Sequence, residues 1–172
     1  MAGQLIQVAT NTVSSAVASV TLTGIDSDDV YLFTFNNVIP ETADADLLIR
    51  FTESGTANTT SNYDRSAKLL RSDTTFSNTS ATNESQTNLS TSMENDNNTG
   101  GCNGLMYVYN ANNSSEYTFA TRETVYLAED GTMLGFQGGN VFTVTSAVDG
   151  VQFRYDTGNI RSGAVFTLYK VL

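Results

Sequence analysis

The chain contains no histidine, no tryptophan, one cysteine and one proline in 172 residues. Without histidine, Ser-His-Asp and Cys-His catalytic arrangements are excluded, the commonest general base is missing, and most zinc sites lose a ligand. A single cysteine, Cys102, excludes an intrachain disulfide and reads as a free thiol. Any metal would have to be a hard cation held by oxygen ligands. Basic residues are few: 8 Lys and Arg stand against 18 Asp and Glu, a formal net charge of −10. That balance repels phosphate backbones and anionic membrane surfaces, so neither nucleic acid nor membrane is an expected partner. Long apolar runs are missing too, and no window approaches the roughly 18 apolar residues of a membrane span. Residues 1–8 lack the basic start and apolar stretch of a signal peptide, which predicts synthesis in a cytoplasm.

What is present repeats with a period of two, the spacing of strands. Residues 13–22 alternate, with Val17, Val20 and Leu22 apolar between Ser and Thr. Residues 30–35 are apolar on both faces and read as a central strand, and residues 47–52 form another. Residues 105–109 and 116–121 flank an Asn/Ser turn and predict an antiparallel hairpin. Residues 135–140 read as a glycine-rich bend, and residues 151–155 and 165–169 as the closing strands. Strands at this spacing, with turn residues between them and no long amphipathic helix, predict a single all-β domain over residues 1–172, an antiparallel β-sandwich of jelly-roll type.

Residues 58–101 differ from the rest. They are crowded with Asn, Ser and Thr, and the stretch is expected to be a long polar loop or insertion, with a possible short helix at residues 63–70. Its Asn-x-Ser/Thr sequons follow from composition alone. Residues 1–12 are expected to be an N-terminal arm. Leu5, Ile6 and Val8 either add a strand at home, the slightly preferred reading, or complete a neighbour's sheet and form an interface.

Candidate sites are sparse. Asp26, Asp28 and Asp29 place three carboxylates within four residues and are candidate calcium ligands. Their spacing lacks a full calcium-loop pattern, and a solvated acidic turn is the preferred reading; Glu41, Asp44 and Asp46 read the same way. Glu116, Glu123, Asp149 and Asp156 lie near strand ends, where a pair of carboxylates could flank a sugar. With 18 acidic residues some approach one another by chance, so no catalytic residue is assigned, no enzyme activity is expected and no cofactor is implied. The 8 tyrosines suit interfaces or sugar stacking as well as a core.

The order of certain segments resembles the jelly-roll structural proteins of tailed bacteriophages, especially those of aquatic bacteria. An Ser/Ala/Val strand runs into Thr21-Leu22-Thr23-Gly24-Ile25; Leu48-Ile49-Arg50-Phe51 is followed by Ser61-Asn62-Tyr63-Asp64. The Tyr107-Val108-Tyr109-Asn110 hairpin comes next. The most specific part is last: Gly158 and Ser162-Gly163 lead into Leu168-Tyr169. The resemblance covers residue 14 to the C-terminus. It implies a structural protein on the virion surface, assembled in the host cytoplasm: a capsid decoration (cement) protein bound to the major capsid protein or another virion protein. A homo-oligomer, with a trimer as the guess, goes with that role. The alternative is a small tail or fibre-tip module that binds host-surface glycan. Many members of the family are C-terminal modules of long fibres; a chain that starts at Met1 without a further domain favours the stand-alone role. The resemblance carries no catalytic motif to map.

Overall fold

The computed structural model describes residues 3–172. In chain order the strands are β1 (Leu5–Thr12), β2 (Ser19–Thr23), β3 (Tyr31–Val38), β4 (Leu47–Glu53), β5 (Thr56–Ala57), β6 (Tyr63–Arg71), β7 (Phe76–Glu84), β8 (Thr87–Asn88), β9 (Cys102–Tyr109), β10 (Thr118–Leu127), β11 (Met133–Phe142), β12 (Gly150–Tyr155) and β13 (Val165–Val171). The larger sheet has eight strands in the order β1-β13-β3-β9-β10-β11-β6-β7. The smaller has the order β2-β12-β4-β5, with β8 also pairing β4. Neighbours pair antiparallel throughout. The protein is therefore an all-β sandwich, as the period-two pattern requires. A simple jelly roll divides eight strands between two sheets; here the division is eight and five.

The inner faces of the two sheets meet in an aromatic core. Phe153 of β12 lies 5.9 Å from Phe33, 5.8 Å from Phe35 and 4.8 Å from Phe166, ring centre to ring centre. A second group joins Phe51, Tyr63 and Phe142, with Tyr63 and Phe142 4.8 Å apart. The Tyr63 hydroxyl is not stranded there: it accepts the Phe51 N–H and donates to the Asn58 carbonyl, both at 3.0 Å. A buried phenol needs such partners, because an unmet polar group in apolar surroundings costs about 1–3 kcal/mol. Residues 30–35 supply the central strand their two-faced apolarity demands, with β3 held between β13 and β9.

Three expectations are corrected. Residues 63–70 lie in β6, not a helix, and residues 58–101 are not one loop: they contain β6, β7, β8 and a 3-10 turn at Asn97–Thr99. The reason is that a sheet's backbone ladder needs no apolar side chains. β7 is an edge strand exposed along most of its length, so Ser, Asn and Thr suffice. Residues 135–140 do not bend; they run inside β11, where Gly138 is required. A Cβ on Gly138 would collide with the Ser66 carbonyl and with Ala67 on the adjacent β6.

Candidate docking face

The larger sheet turns one face to the core and the other outward, and the two are written into β10 by strict alternation. Thr118, Ala120, Arg122, Thr124 and Tyr126 are buried, whereas Phe119, Thr121, Glu123 and Val125 are exposed. Phe119 is 46% exposed and Val125 49%, large values for apolar side chains in the middle of a sheet. Register extends both into rows across the strands. Phe119 stands between Tyr109 and Val141. Val125 leads through Gly135 to Leu70 of β6 and on to Phe76 of β7, which is 62% exposed. Between these apolar rows runs one that is polar beyond Leu105: Glu123, Gln137, Lys68 and Asn78.

Gly135 and Gly139 offer no side chain on this outer face, so β11 forms the floor of shallow troughs walled by its neighbours. One, of about 460 Å³, is bordered by Phe119, Thr121, Val141 and Ser66. Another, of about 350 Å³, is bordered by Leu70, Leu105, Val125 and Gln137. The large exposed apolar residues Leu5, Ile6, Val8, Phe76, Tyr117, Phe119, Val125, Met133 and Leu172 all belong to the eight-stranded sheet or adjoin its strands. Of these, Phe119 and Val125 share the outward face of β10, and apolar side chains gathered on one face mark a surface suited to contact with another molecule.

The candidate calcium ligands fall elsewhere, and a cation of the chain's own occupies their midst. Lys170 Nζ lies 2.8 Å from Asp29 Oδ2 and 3.6 Å from Asp26 Oδ1, and donates to Ser27 Oγ at 2.7 Å. Tyr31 donates to Asp26 Oδ1 at 2.9 Å, and Asn113 Nδ2 donates to Asp28 Oδ2 at 2.9 Å. The Tyr31 hydroxyl and the Lys170 charge hold the Asp26 carboxyl below its ordinary range; hydrogen bonds from Lys170 and Ser27 do the same for Asp29. The cluster is a clasp that ties the 26–29 turn to the last strand.

The four carboxylates considered for sugar hydrolysis are dispersed. Asp149 and Asp156 flank opposite ends of the six-residue β12, a span of about 20 Å at ~3.3 Å per residue. Both are engaged in structure. Asp149 accepts from Thr52 Oγ1 at 2.6 Å and the Gly55 N–H at 2.8 Å, and Asp156 accepts from the Asp46 N–H at 2.9 Å. Glu123 stands on the outer face of the other sheet. Among the acidic residues of 41–46, Asp46 is set apart by burial, which pushes its carboxyl up although the Ser92 N–H bonds to it.

Leu5, Ile6 and Val8 lie in β1, which pairs with β13 of the same chain, the domestic strand. Ala9 packs on the core, but β1 is otherwise exposed at the sheet's edge. Cys102 is wholly buried, and burial pushes its thiol well above the ordinary range. Sequence reasoning passed over Phe119 and Val125, and it passed over Arg122, an inward charge. The signal was there: Arg122 shares parity with Ala120, Thr124 and Tyr126, so a single strand assignment puts a guanidinium in the core.

No protein-family model matches the chain, and no curated protein matches it as a relative.

Proposed function

We propose that this protein is a structural component of a phage virion, a decoration-type protein that lies on the particle surface and docks through the outer face of its eight-stranded sheet. The observation that carries the reading is the pair of apolar rows around Phe119 and Val125, laid across several strands of the sheet. Exposed aromatic and aliphatic anchors separated by polar groups have the character of the core of a protein interface. The net charge of −10 keeps the free protein soluble and would steer it to a basic patch on a major capsid protein or another virion protein. Many copies bound across subunit joints would stabilise a shell by mass action. The eight-stranded sheet ends in two uncapped strands, β1 and β7, and such edges favour self-association, in keeping with a homo-oligomer, with a trimer as the working state.

Immunogold labelling of intact particles tests the reading. Label spread over the head supports it; label on the tail alone, or none, overturns it. A second reading, a module that binds host-surface glycan, is favoured by one feature: Tyr107 and Tyr109 lie nearly parallel, 6.5 Å apart with 26° between rings, beside Phe119. Tail label together with binding on a glycan array would replace the first reading with this one.

A further inference from the structure

Among the described residues, the ion pairs involve only Arg71 and Lys170. The chain has more than twice as many acidic as basic residues, yet its most deeply buried cation, Arg122, has no carboxylate beside it. Arg122 is 1% exposed. It projects from β10 beside Gly138, its direct partner on β11. Phe136 and Asn140 share the inner face of β11 on either side of Gly138. The guanidinium lies 5.0 Å from the Phe136 ring centre, and its Nη1 donates to Asn140 Oδ1 and to Thr87 Oγ1 of the opposite sheet, each at 3.2 Å.

That accounts for one nitrogen of three. Arg122 Nε and Nη2 are buried without a partner, and so are Asn140 Nδ2 and Arg65 Nε. Arg65 pairs directly with Asn140 across β6 and β11. Every one of these four atoms is a donor. Two guanidinium groups and an amide thus share one stretch of the inner face with these four donors unmet; the Asp46 carboxylate acts on Arg65, and none pairs with Arg122. Water can satisfy such hydrogens but cannot cancel the charge, and an uncompensated cation between two sheets is costly. Burial and the nearby Arg65 charge lower the Arg122 guanidinium to about 9, which still leaves it charged at neutral pH.

We infer that the unpartnered donors of Arg122, Arg65 and Asn140 form a binding site for a small inorganic anion of chloride size. The ligand is monatomic or nearly so, because Arg122, which would hold it, is almost wholly buried. The anion would sit against Arg122 Nε and Nη2 and take hydrogens from Arg65 and Asn140. It would tie β10, β11 and β6 together and, through Thr87, clamp the smaller sheet to the larger. This inference does not depend on where the protein acts.

The test is urea unfolding of the whole chain at fixed ionic strength, with chloride exchanged stepwise for gluconate, which is too large for the site. Above the dissociation constant, each tenfold rise in chloride raises the folding equilibrium constant about tenfold. Arg122→Met removes the response. Arg154→Met keeps it, because Arg154 stands on the outer face of the smaller sheet, where Gln86 accepts its Nη1–H at 3.0 Å. Should Arg122→Met not fold, crystals of the unaltered protein soaked in bromide give the same answer through an anomalous peak beside Arg122. Stability that is indifferent to the choice of anion, a response lost equally in Arg154→Met, or bromide found only at the surface would each overturn the site.

Discussion

Lys170, one of the last residues of the closing strand, places its ammonium 2.8 Å from the Asp29 carboxylate, so the C-terminal end of the chain clasps the turn that precedes β3. The consequence is a stability that fades at both extremes of pH. Asp26 and Asp29 are lowered from 3.8, so their contribution is present above that value and is lost as pH falls through their folded values. Lys170 is raised from 10.5, so its share is present below that value and is lost as pH rises through its folded value. In Lys170→Met both losses should shrink, and NMR titration should show Asp26 and Asp29 moving back up. Unchanged carboxylate titrations in the variant would count against the clasp.

Phe119→Ser combined with Val125→Ser should separate docking from folding. Both side chains point to solvent, so the double variant should unfold within about 0.5 kcal/mol per site of the parent. Its co-sedimentation with particles stripped of the native protein should be lost. Retained binding at parental affinity would remove this face as the docking surface.

Phe153→Ala should be far more costly. The ring contacts Phe33, Phe35 and Phe166 at the meeting of the two sheets, and its removal leaves a cavity that neighbouring strands cannot close. A loss of about 3–5 kcal/mol is expected in urea unfolding. A loss below 1 kcal/mol would mean the sheets are not held together there.

Cys102 should be inert in the native state. Burial keeps its thiol protonated, and the reactive species is the thiolate. Labelling by a thiol reagent at neutral pH should proceed only as fast as the protein opens, and should accelerate in urea along the unfolding curve. Stability should also fall as pH rises past 9.0, where the unfolded thiol ionises and the folded one does not. Rapid labelling without denaturant would contradict the burial.

Much of the fold was legible before any coordinates. Residues 30–35, apolar on both faces, read as a central strand, and β3 lies between β13 and β9 in the larger sheet. Residues 105–121 carry a turn between two strand patterns, and β9 and β10 pair as that pattern requires. The β6–β7 hairpin was not legible. Its outer strand buries almost nothing, so the hydrophobic period that betrays a strand is missing from residues 76–84. The glycines of 135–140 misled for a related reason: glycine usually marks a bend, but here Gly138 lets β6 approach closely.

The sites divide in the same way. Composition by itself excluded histidine-based catalysis and an intrachain disulfide, because those chemistries need side chains that the chain does not possess. Alternation by itself assigned most side chains to an inner or outer face. Only the tertiary structure decided that Lys170 reaches the 26–29 turn, that Phe119 and Val125 join rows running over several strands, and that Arg122 meets Arg65 with no carboxylate paired to Arg122. Those are contacts between residues far apart in sequence. They depend on strand order and register, which backbone hydrogen bonding permits in many combinations and which packing across the two sheets selects.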